Sequence, residues 1–305
     1  MIIAVFPGQG SQSPGFLTPW LELDGARERL EQFSELAEVD LVAAGTEWDA
    51  DRIRDTAVAQ PLIVAASLLS YDALTREGAR PSGVAGHSVG EIAALSAAGV
   101  LDDTDAMRLV GLRGRAMADA ATREPTGMSA VIGGDQDAVV ARLAELDLTP
   151  ANYNGGGQIV AAGALEALAA LAAEPVPATR VIPLKVAGAF HTRYMAPAVE
   201  TLAAAASATS VGDPALTLWS NRDGAVVADG RDALDRLVAQ VASPVRWDLC
   251  MASFAEQGVT GIIEFAPAGT LVGLAKRALR GVPSVAVKTP DDLVAASALI
   301  SGGVA

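Results

Sequence analysis

Cysteine and histidine are scarce in this chain of 305 residues. Cys250 is the sole cysteine, so the chain cannot form an internal disulfide. Two histidines, His87 and His191, are too few to complete a Cys/His zinc site with it. No group of Asp and Glu residues has the spacing of metal ligands. We therefore expect no metal and no cofactor.

Basic residues are also few, with 22 Lys and Arg against 36 Asp and Glu, which gives a net charge of −14. Because nucleic-acid binding needs a basic surface, we expect no nucleic-acid partner. Aromatic residues make up 4% of the chain, whereas apolar residues make up 51% and are largely Ala and Val. This composition favours helices packed tightly on a sheet.

Uninterrupted hydrophobic runs are short compared with the about 20 residues that cross a bilayer. The most apolar stretch, residues 159–173, is interrupted by Gly163 and Glu166. Residues 1–8 lack the basic segment of a signal peptide and lead directly into a strand-like run. The sequence therefore predicts no membrane association and a cytoplasmic location.

The first third of the chain alternates strand-like and helix-like segments, as α/β proteins do. The predicted elements are a buried strand over 2–6, a glycine-rich loop over 7–12, an apolar helix from Pro61 to about Glu77 with Gly78 as its stop, a strand over 83–86, and helices over 89–98 and 104–121.

A different pattern follows, in the order βαββαβ. The predicted elements are strands 128–132, 149–153, 158–162 and 179–184 and helices 135–146 and 164–173. This order is typical of a ferredoxin-like unit, with two helices on a four-stranded antiparallel sheet.

The last third returns to alternating elements. We predict helices over 194–208, 231–242, 247–257 and 268–280 and strands over 216–219, 260–265 and 284–287. The sequence thus predicts a large α/β domain with a parallel sheet, formed by residues 1–125 and 189–305, that is interrupted by a small ferredoxin-like subdomain at 126–188.

Gly86, Ser88 and Gly90 have the Gly-x-Ser-x-Gly spacing of a nucleophile elbow, in which a serine occupies a sharp turn between a strand and a helix. Side chains two residues before or after the serine would collide across such a turn. The predicted strand and helix supply that context, and a helix N-terminus stabilises negative charge at Ser88. The alternative is a chance match, because the bare pattern is common in glycine-rich chains.

A nucleophilic serine needs a base, and only the two histidines can serve. His87 adjoins Ser88 and should point away from it at a sharp turn. His191 is therefore the candidate base, directly after the predicted subdomain. The alternative is a structural histidine held by hydrogen bonds.

Arg113 lies in the predicted helix over 104–121, among apolar residues that indicate burial. Gly111 and Gly114 each cost about 1 kcal/mol relative to Ala within a helix, which suggests close approach of a backbone or a ligand. A buried guanidinium needs an anion, and its planar fork suits a carboxylate. An internal salt bridge to Glu or Asp explains the arginine equally well.

The loop Gly8-Gln9-Gly10 is not a dinucleotide fingerprint, because Ser13 occupies the position of the third glycine. Its backbone could still donate to an oxyanion. The segment 152–158 reads as the hairpin turn of the predicted subdomain.

At these residues the chain resembles the malonyl-CoA:acyl-carrier-protein transacylase family over nearly its whole length. The motifs that carry the resemblance occur in order: Pro7-Gly8-Gln9-Gly10-Ser11-Gln12, Gln60-Pro61, Gly86-His87-Ser88-Val89-Gly90-Glu91, Arg113-Gly114 and Ala189-Phe190-His191. One departure is Ala266-Pro267-Ala268, where relatives usually have Gly-Pro-Gly, which leaves the geometry of that turn open.

The resemblance implies a set of catalytic roles. Ser88 would be the nucleophile, His191 the base, and the backbone carbonyl of Gln240 the group that orients His191. The backbone N–H groups of Gln9 and Val89 would form the oxyanion hole.

The resemblance also implies a binding site for the acyl group. Arg113 would bind the malonyl carboxylate, and Gln60 and Gln158 would line the site. Phe190 would fill the space of an α-methyl group, since relatives that accept methylmalonyl carry Ser there.

The implied reaction is ping-pong transfer of malonyl from malonyl-CoA to an acyl carrier protein, in fatty-acid or polyketide synthesis, by a monomeric enzyme. Lys276, Arg277 and Arg280 on one predicted helix could dock the acidic carrier, with Lys185 and Arg193 beside the base. A serine hydrolase such as a thioesterase, and a catalytically silent carrier-docking module, remain alternatives.

Overall fold

Two β-sheets organise the chain in the computed structural model, which describes residues 1–76 and 78–302. Glu77, where we expected a helix to end, and the last three residues of the predicted large domain lie outside the described residues.

The strands are β1 (Ile2–Phe6), β2 (Gly83–Gly86), β3 (Thr126–Gly133), β4 (Thr149–Gly155), β5 (Gln158–Ala164), β6 (Thr179–Pro183), β7 (Thr217–Trp219), β8 (Val226–Val227), β9 (Val245–Arg246), β10 (Gly261–Glu264) and β11 (Ser284–Ala286). The α-helices are α1 (Ala26–Ala37), α2 (Leu41–Thr46), α3 (Thr56–Arg76), α4 (Gly90–Ala97), α5 (Asp103–Ala121), α6 (Gln136–Glu145), α7 (Leu165–Ala173), α8 (Ala196–Ala208), α9 (Gly230–Gln240), α10 (Trp247–Glu256), α11 (Thr270–Ala278) and α12 (Leu293–Ile300). Short 3-10 helices occur at Thr18–Glu22, Arg52–Arg54, Arg193–Met195 and Pro290–Asp292.

The larger sheet has the strand order β11-β10-β1-β2-β7-β8 and is parallel except for β8, which pairs antiparallel with β7. Its central strand, β1, is apolar throughout because helices cover both faces of the sheet. Ile3 and Val5 point into one core, which includes Trp247, whereas Ala4 and Phe6 point into the other. The carboxyl end of β2 lies beside β1 and carries the turn at Ser88.

The smaller sheet has the order β6-β3-β5-β4-β9. Its first four strands pair antiparallel, as the βαββαβ pattern predicts. The fifth, β9, comes from later in the chain and pairs parallel with β4, Asn152 opposite Val245. The predicted four-stranded sheet is therefore extended by a strand of two residues, which is too short to show a periodic pattern.

Helix α3 begins earlier than the sequence predicted, because Pro61 lies inside it rather than at its start. Asp55 caps the additional turn: its carboxylate accepts the N–H of Ala57 at 2.8 Å and its carbonyl that of Ala59 at 2.7 Å. By length and composition alone this helix could cross a membrane, but most of it is buried inside the protein.

Helix α5 is held close to its neighbours by the two glycines that the sequence singled out. A Cβ at Gly111 would lie 2.6 Å from the carbonyl oxygen of Ala37, and one at Gly114 would lie 2.9 Å from that of Thr56. The predicted close backbone approach is confirmed. The close approach lets α5 pack directly against α1 and α3. Arg113 consequently lies in the interior, where it is 1% exposed.

Candidate active site

Ser88 lies on a sharp turn between β2 and α4, with a φ of +53° that non-glycine residues rarely adopt. A Cβ at Gly86 would lie 2.0 Å from the backbone carbonyl of Gly90, and one at Gly90 would lie 2.2 Å from the carbonyl oxygen of Phe6. A side chain at either position would collide with the backbone, so both residues must be glycine. The turn has the backbone geometry expected of a nucleophile elbow.

Ser88 Oγ lies 2.7 Å from Nε2 of His191, across 103 residues of sequence. The other imidazole nitrogen, Nδ1, lies 2.8 Å from the carbonyl oxygen of Gln240. Because a carbonyl can only accept, Nδ1 carries the hydrogen and Nε2 is left to accept the Ser88 hydroxyl. Burial, aided by the charge of Arg113, lowers the pKa of His191 to about 3, so the imidazole is neutral and the lone pair of Nε2 is free to accept the hydroxyl.

His87 points away from the nucleophile's base. Its Nε2 lies 2.9 Å from Oδ1 of Asn154 in the smaller sheet, and its ring packs edge-on against Trp247. Burial lowers the pKa of this imidazole as well. The two histidines are thus separated in space, and only His191 reaches the Ser88 hydroxyl.

Asn221 is a site residue that the sequence reasoning missed. Its Oδ1 accepts the backbone N–H of Ser88 at 2.8 Å, and its Nδ2 donates to the carbonyl of Gly86 at 2.7 Å. These two bonds hold the elbow from the end of β7. Its position just after a predicted strand of the parallel sheet was a usable signal, because polar residues at carboxyl ends of such strands often face the site.

The backbone N–H groups of Gln9 and Val89 both belong to residues that line the pocket beside Ser88. Within residues 1–76 and 78–302, neither N–H donates to a protein acceptor. The side-chain amide of Gln9 is turned towards Thr56, to whose hydroxyl it donates at 3.3 Å. The geometry therefore leaves two backbone donors available for an oxygen that develops negative charge next to Ser88.

Arg113 is held by two amide oxygens. Its Nη1 donates to Oε1 of Gln60 at 2.6 Å and its Nη2 to Oε1 of Gln240 at 3.0 Å. In the described part of the chain, no carboxylate lies within salt-bridge distance of this guanidinium, and its Nε has no partner. Burial lowers its pKa to about 10, so it stays charged at neutral pH. Among the described residues, Arg113 therefore does not form the internal salt bridge that the sequence left open.

The pocket around Ser88 has a volume of about 280 Å³ and lies between the two sheets. Gln60, Met117 and Phe190 line it from the side of the larger sheet, and Met128 and Gln158 from the smaller one. The walls are largely apolar, with a few convergent polar groups, as in small-molecule sites. The structure thus brings Ser88, His191, Gln9 and Val89 to one pocket, and Arg113 lies behind Gln60.

The family model described as acyl transferase domain matches residues 3–291. The malonyl CoA-acyl carrier protein transacylase of Mycobacterium tuberculosis is 55% identical over 296 residues, which cover 96% of this chain and 98% of that protein. The chain belongs to the malonyl CoA-acyl carrier protein transacylase family. A crystal structure of MCAT from M. tuberculosis has a TM-score of 0.94 at 54% identity and covers 97% of this chain and 100% of its own. This likeness confirms the predicted fold class.

A second solved relative of this transacylase family is a malonyl-transacylase in complex with a type II PKS acyl-carrier protein. It has a TM-score of 0.90 at 32% identity, and the match covers 97% of this chain and 98% of that one.

The turn at Ala266-Pro267-Ala268, where the sequence departs from other transacylases, is hydrogen-bonded to α3. Ser67 donates to the carbonyl of Ala266 at 2.8 Å, and the Ala266 N–H donates to the hydroxyl of Ser70 at 3.1 Å.

The basic residues suggested for docking are arranged differently from the sequence prediction. Lys276 and Arg277 are exposed in the last turn of α11, but the helix ends at Ala278, so Arg280 lies beyond it. Leu279, which follows the last helical residue, is 8% exposed. Leu271 and Leu274 of the same helix line the pocket, which places Arg277 at its mouth, where it donates to Gln158 at 3.3 Å.

The two basic residues that flank His191 differ from each other. Lys185 is exposed, whereas Arg193 makes a bidentate ion pair with Asp147 at 3.1 and 2.6 Å.

Among the residues that the structure describes, no group of three or more His, Cys, Asp or Glu side chains could hold a metal ion.

Proposed function

We propose that this chain transfers malonyl from malonyl-CoA to the phosphopantetheine thiol of an acyl carrier protein, through a malonyl ester on Ser88. The relatives' names supply the substrate and the carrier. The observation that carries the proposal is the buried guanidinium of Arg113, which has no carboxylate partner among residues 1–76 and 78–302. It lies behind the pocket of a serine that contacts a neutral histidine.

Acylation begins when Ser88 Oγ attacks the thioester carbonyl as His191 Nε2 takes the hydroxyl proton. The carbonyl oxygen becomes an oxyanion that the N–H groups of Gln9 and Val89 stabilise. The intermediate collapses, the C–S bond breaks, and coenzyme A leaves with the proton that His191 returns. The product is malonyl-Ser88.

The second half of the cycle reverses the roles. The carrier's thiol gives its proton to His191 Nε2 and its sulfur attacks the ester carbonyl, while the same two N–H groups hold the oxyanion. The C–O bond then breaks and Ser88 regains its hydroxyl proton from His191. Malonyl is left on the carrier sulfur.

Arg113 gives the site its selectivity for a carboxylated acyl group. The guanidinium has five N–H donors, of which two are engaged by Gln60 and Gln240, so donors remain for a carboxylate. Desolvation strengthens such a charge-assisted pair. An uncharged acyl end would leave the buried cation without a counter-charge.

Brief incubation with malonyl-CoA, followed by mass spectrometry, tests the covalent step. The protein should gain one malonyl group on Ser88, and a Ser88→Ala variant should gain none. No mass gain in the wild type would leave the carrier-docking module as the remaining alternative.

Addition of a phosphopantetheine-bearing carrier then separates transfer from hydrolysis. A transacylase gives malonyl-carrier and free coenzyme A in equal amounts, whereas a thioesterase gives free malonate. Release of malonate at the rate of coenzyme A formation would reject the proposal.

We further propose that the enzyme is a cytoplasmic monomer with domains at 1–125 and 189–305 and at 126–188. A carrier of fatty-acid or polyketide synthesis would be its partner. Light scattering of the purified chain tests the monomer, and assays with one carrier of each kind test the pathway.

A further inference from the structure

Gln240 joins the two functional halves of the site. Its backbone carbonyl holds His191, while its side-chain Oε1 accepts from Nη2 of Arg113 at 3.0 Å. An amide presents an oxygen on one side and an NH2 group on the other. Arg113 has only donors, so this contact exists only while the amide oxygen of Gln240 faces the guanidinium.

Glu91 accepts from the other side of that amide. Nε2 of Gln240 donates to one carboxylate oxygen of Glu91 and lies 3.2 Å from the carbonyl of Ser88 and 3.1 Å from Oδ1 of Asn221. The second carboxylate oxygen of Glu91 accepts the backbone N–H of Asn221. Glu91 lies in the first turn of α4, three residues after Ser88, and is 5% exposed.

We propose that Glu91 is a positioning residue that fixes the amide orientation of Gln240 and thereby holds Arg113 ready for the acyl carboxylate. This inference rests on the proposed function. Glu91 does not line the pocket beside Ser88. It acts through Gln240 on the preference for carboxylated over uncharged acyl groups.

A carboxylate is required at this position because both of its neighbours are donors. Its two oxygens accept from Asn221 N–H and from Gln240 Nε2 at once. An amide offers one acceptor and one donor, so it would satisfy Asn221 only by facing its NH2 towards Gln240. Two NH2 groups would then face each other. Rotation of the Gln240 amide relieves that clash at the expense of its bonds to Ser88 O and Asn221 Oδ1, and it takes the amide oxygen away from Arg113.

The burial of Glu91 supports a functional role. Burial raises the pKa of Glu91, whereas the Asn221 N–H bond and the charge of Arg113 lower it. Because both of its oxygens accept N–H donors, the ionised form fits this position. A buried carboxylate without direct contact to a cation is costly to maintain. The side-chain amide of Gln240 lies between the Glu91 carboxylate and the Arg113 guanidinium and hydrogen-bonds to both.

The test compares Glu91→Gln with Glu264→Gln, a matched control. Glu264 is also a buried carboxylate that accepts backbone N–H groups, those of Gly269, Leu271 and Val272, and its pKa is likewise raised by burial. The rates at which malonyl-CoA and acetyl-CoA acylate Ser88 are measured by mass spectrometry on folded protein. Malonylation by the wild type tests the proposed function separately.

In Glu91→Gln the ratio of malonyl to acetyl acylation should fall about 10- to 100-fold, the range expected when a hydrogen bond to a charged group is lost. In Glu264→Gln the ratio should stay within about twofold, whatever the loss of stability. An unchanged ratio in Glu91→Gln, with a malonylating wild type, overturns the inference.

Two further variants close the test. If Glu91→Gln does not fold, Glu91→Met, which removes the acceptors without adding a donor, is judged by the same ratio. In a Gln240→Leu background, Glu91→Gln should lower the ratio no further, because its effect passes through the missing amide. An additive loss there would contradict the relay.

Discussion

Nδ1 of His191 lies 2.8 Å from the carbonyl oxygen of Gln240, where a Ser-His-Asp triad has a carboxylate. A peptide carbonyl fixes the tautomer and the ring orientation as a carboxylate does, but it carries no full charge. Together with burial and the nearby Arg113 cation, this leaves the imidazolium form poorly stabilised. The base is therefore neutral at rest.

Acylation of Ser88 by malonyl-CoA should persist below the pH at which an ordinary histidine becomes protonated. Because the pKa of His191 is lowered from 6.5 to about 3, the fraction of neutral base stays near one as the pH falls. Between about pH 7.5 and about pH 5 the rate should change less than about twofold. Rapid-quench mass spectrometry measures it, and a half-maximal rate near pH 6.5 would contradict the assignment.

Arg113→Ala should remove the preference for malonyl. Truncating one partner of a desolvated charge pair costs about 2–5 kcal/mol, so kcat/KM for malonyl-CoA should fall about 30- to 5,000-fold. Turnover of acetyl-CoA should hold or rise, because its methyl end no longer faces a buried cation. The ratio is measured on protein shown to be folded by circular dichroism. Equal losses for both substrates would place the carboxylate elsewhere.

Phe190→Ser should admit an α-methyl group. Phe190 is 5% exposed and lines the pocket directly before His191. One methyl group is worth about 1–3 kcal/mol, so methylmalonyl use should rise about 10- to 200-fold relative to malonyl. Phe33→Ser is the matched control, since Phe33 is 4% exposed and outside the pocket. An unchanged ratio of methylmalonyl to malonyl use in Phe190→Ser would mean that the Phe190 ring only packs in the core.

Reversing the charges at the mouth of the pocket should weaken carrier binding. Lys276→Glu with Arg277→Glu places like charges before an acidic partner, so KM for the carrier should rise about tenfold and less so in high salt. The rate of Ser88 acylation by malonyl-CoA should stay unchanged. Arg27→Glu with Arg108→Glu is the charge-matched control on exposed residues away from the pocket. The same KM rise in both variants would indicate an effect of net charge alone.

Substitution by alanine should destabilise the protein at one glycine, Gly86, and stabilise it at another, Gly273. Gly86→Ala forces a Cβ to within 2.0 Å of the Gly90 backbone and should prevent the elbow from forming. Gly273 lies in α11 with nothing within 4 Å of its added Cβ, so Gly273→Ala should raise the free energy of unfolding by about 0.5–1 kcal/mol. Urea denaturation measures both, and a stable, active Gly86→Ala variant would refute the steric account.

The parallel sheet, the βαββαβ unit and the Ser88 turn could be predicted because local patterns encode them. Buried strands read as apolar runs, and glycine and capping residues end the helices, so most predicted elements agree with the structure within about two residues. Helices α1, α2 and α12 were not predicted.

The contacts that complete the site could not be predicted, because they join residues far apart in sequence. Asn221 reaches Ser88 across 133 residues, and Glu91 meets Gln240 across 149. Neither pair leaves a periodic signature. The early start of α3 was missed for a different reason: the capping carboxylate of Asp55 was overlooked in favour of Pro61.

Strand β9 connects the small sheet to the residue that holds the His191 imidazole. Four residues separate Gln240, whose carbonyl orients His191, from Val245, which pairs with Asn152 of β4. The carbonyl of Gln240 also accepts the backbone N–H of Ser243 at 3.2 Å, so this short segment is folded into a turn. The turn that holds the His191 imidazole and the edge strand of the small sheet are therefore one continuous piece of chain, and the two cannot be placed independently of each other.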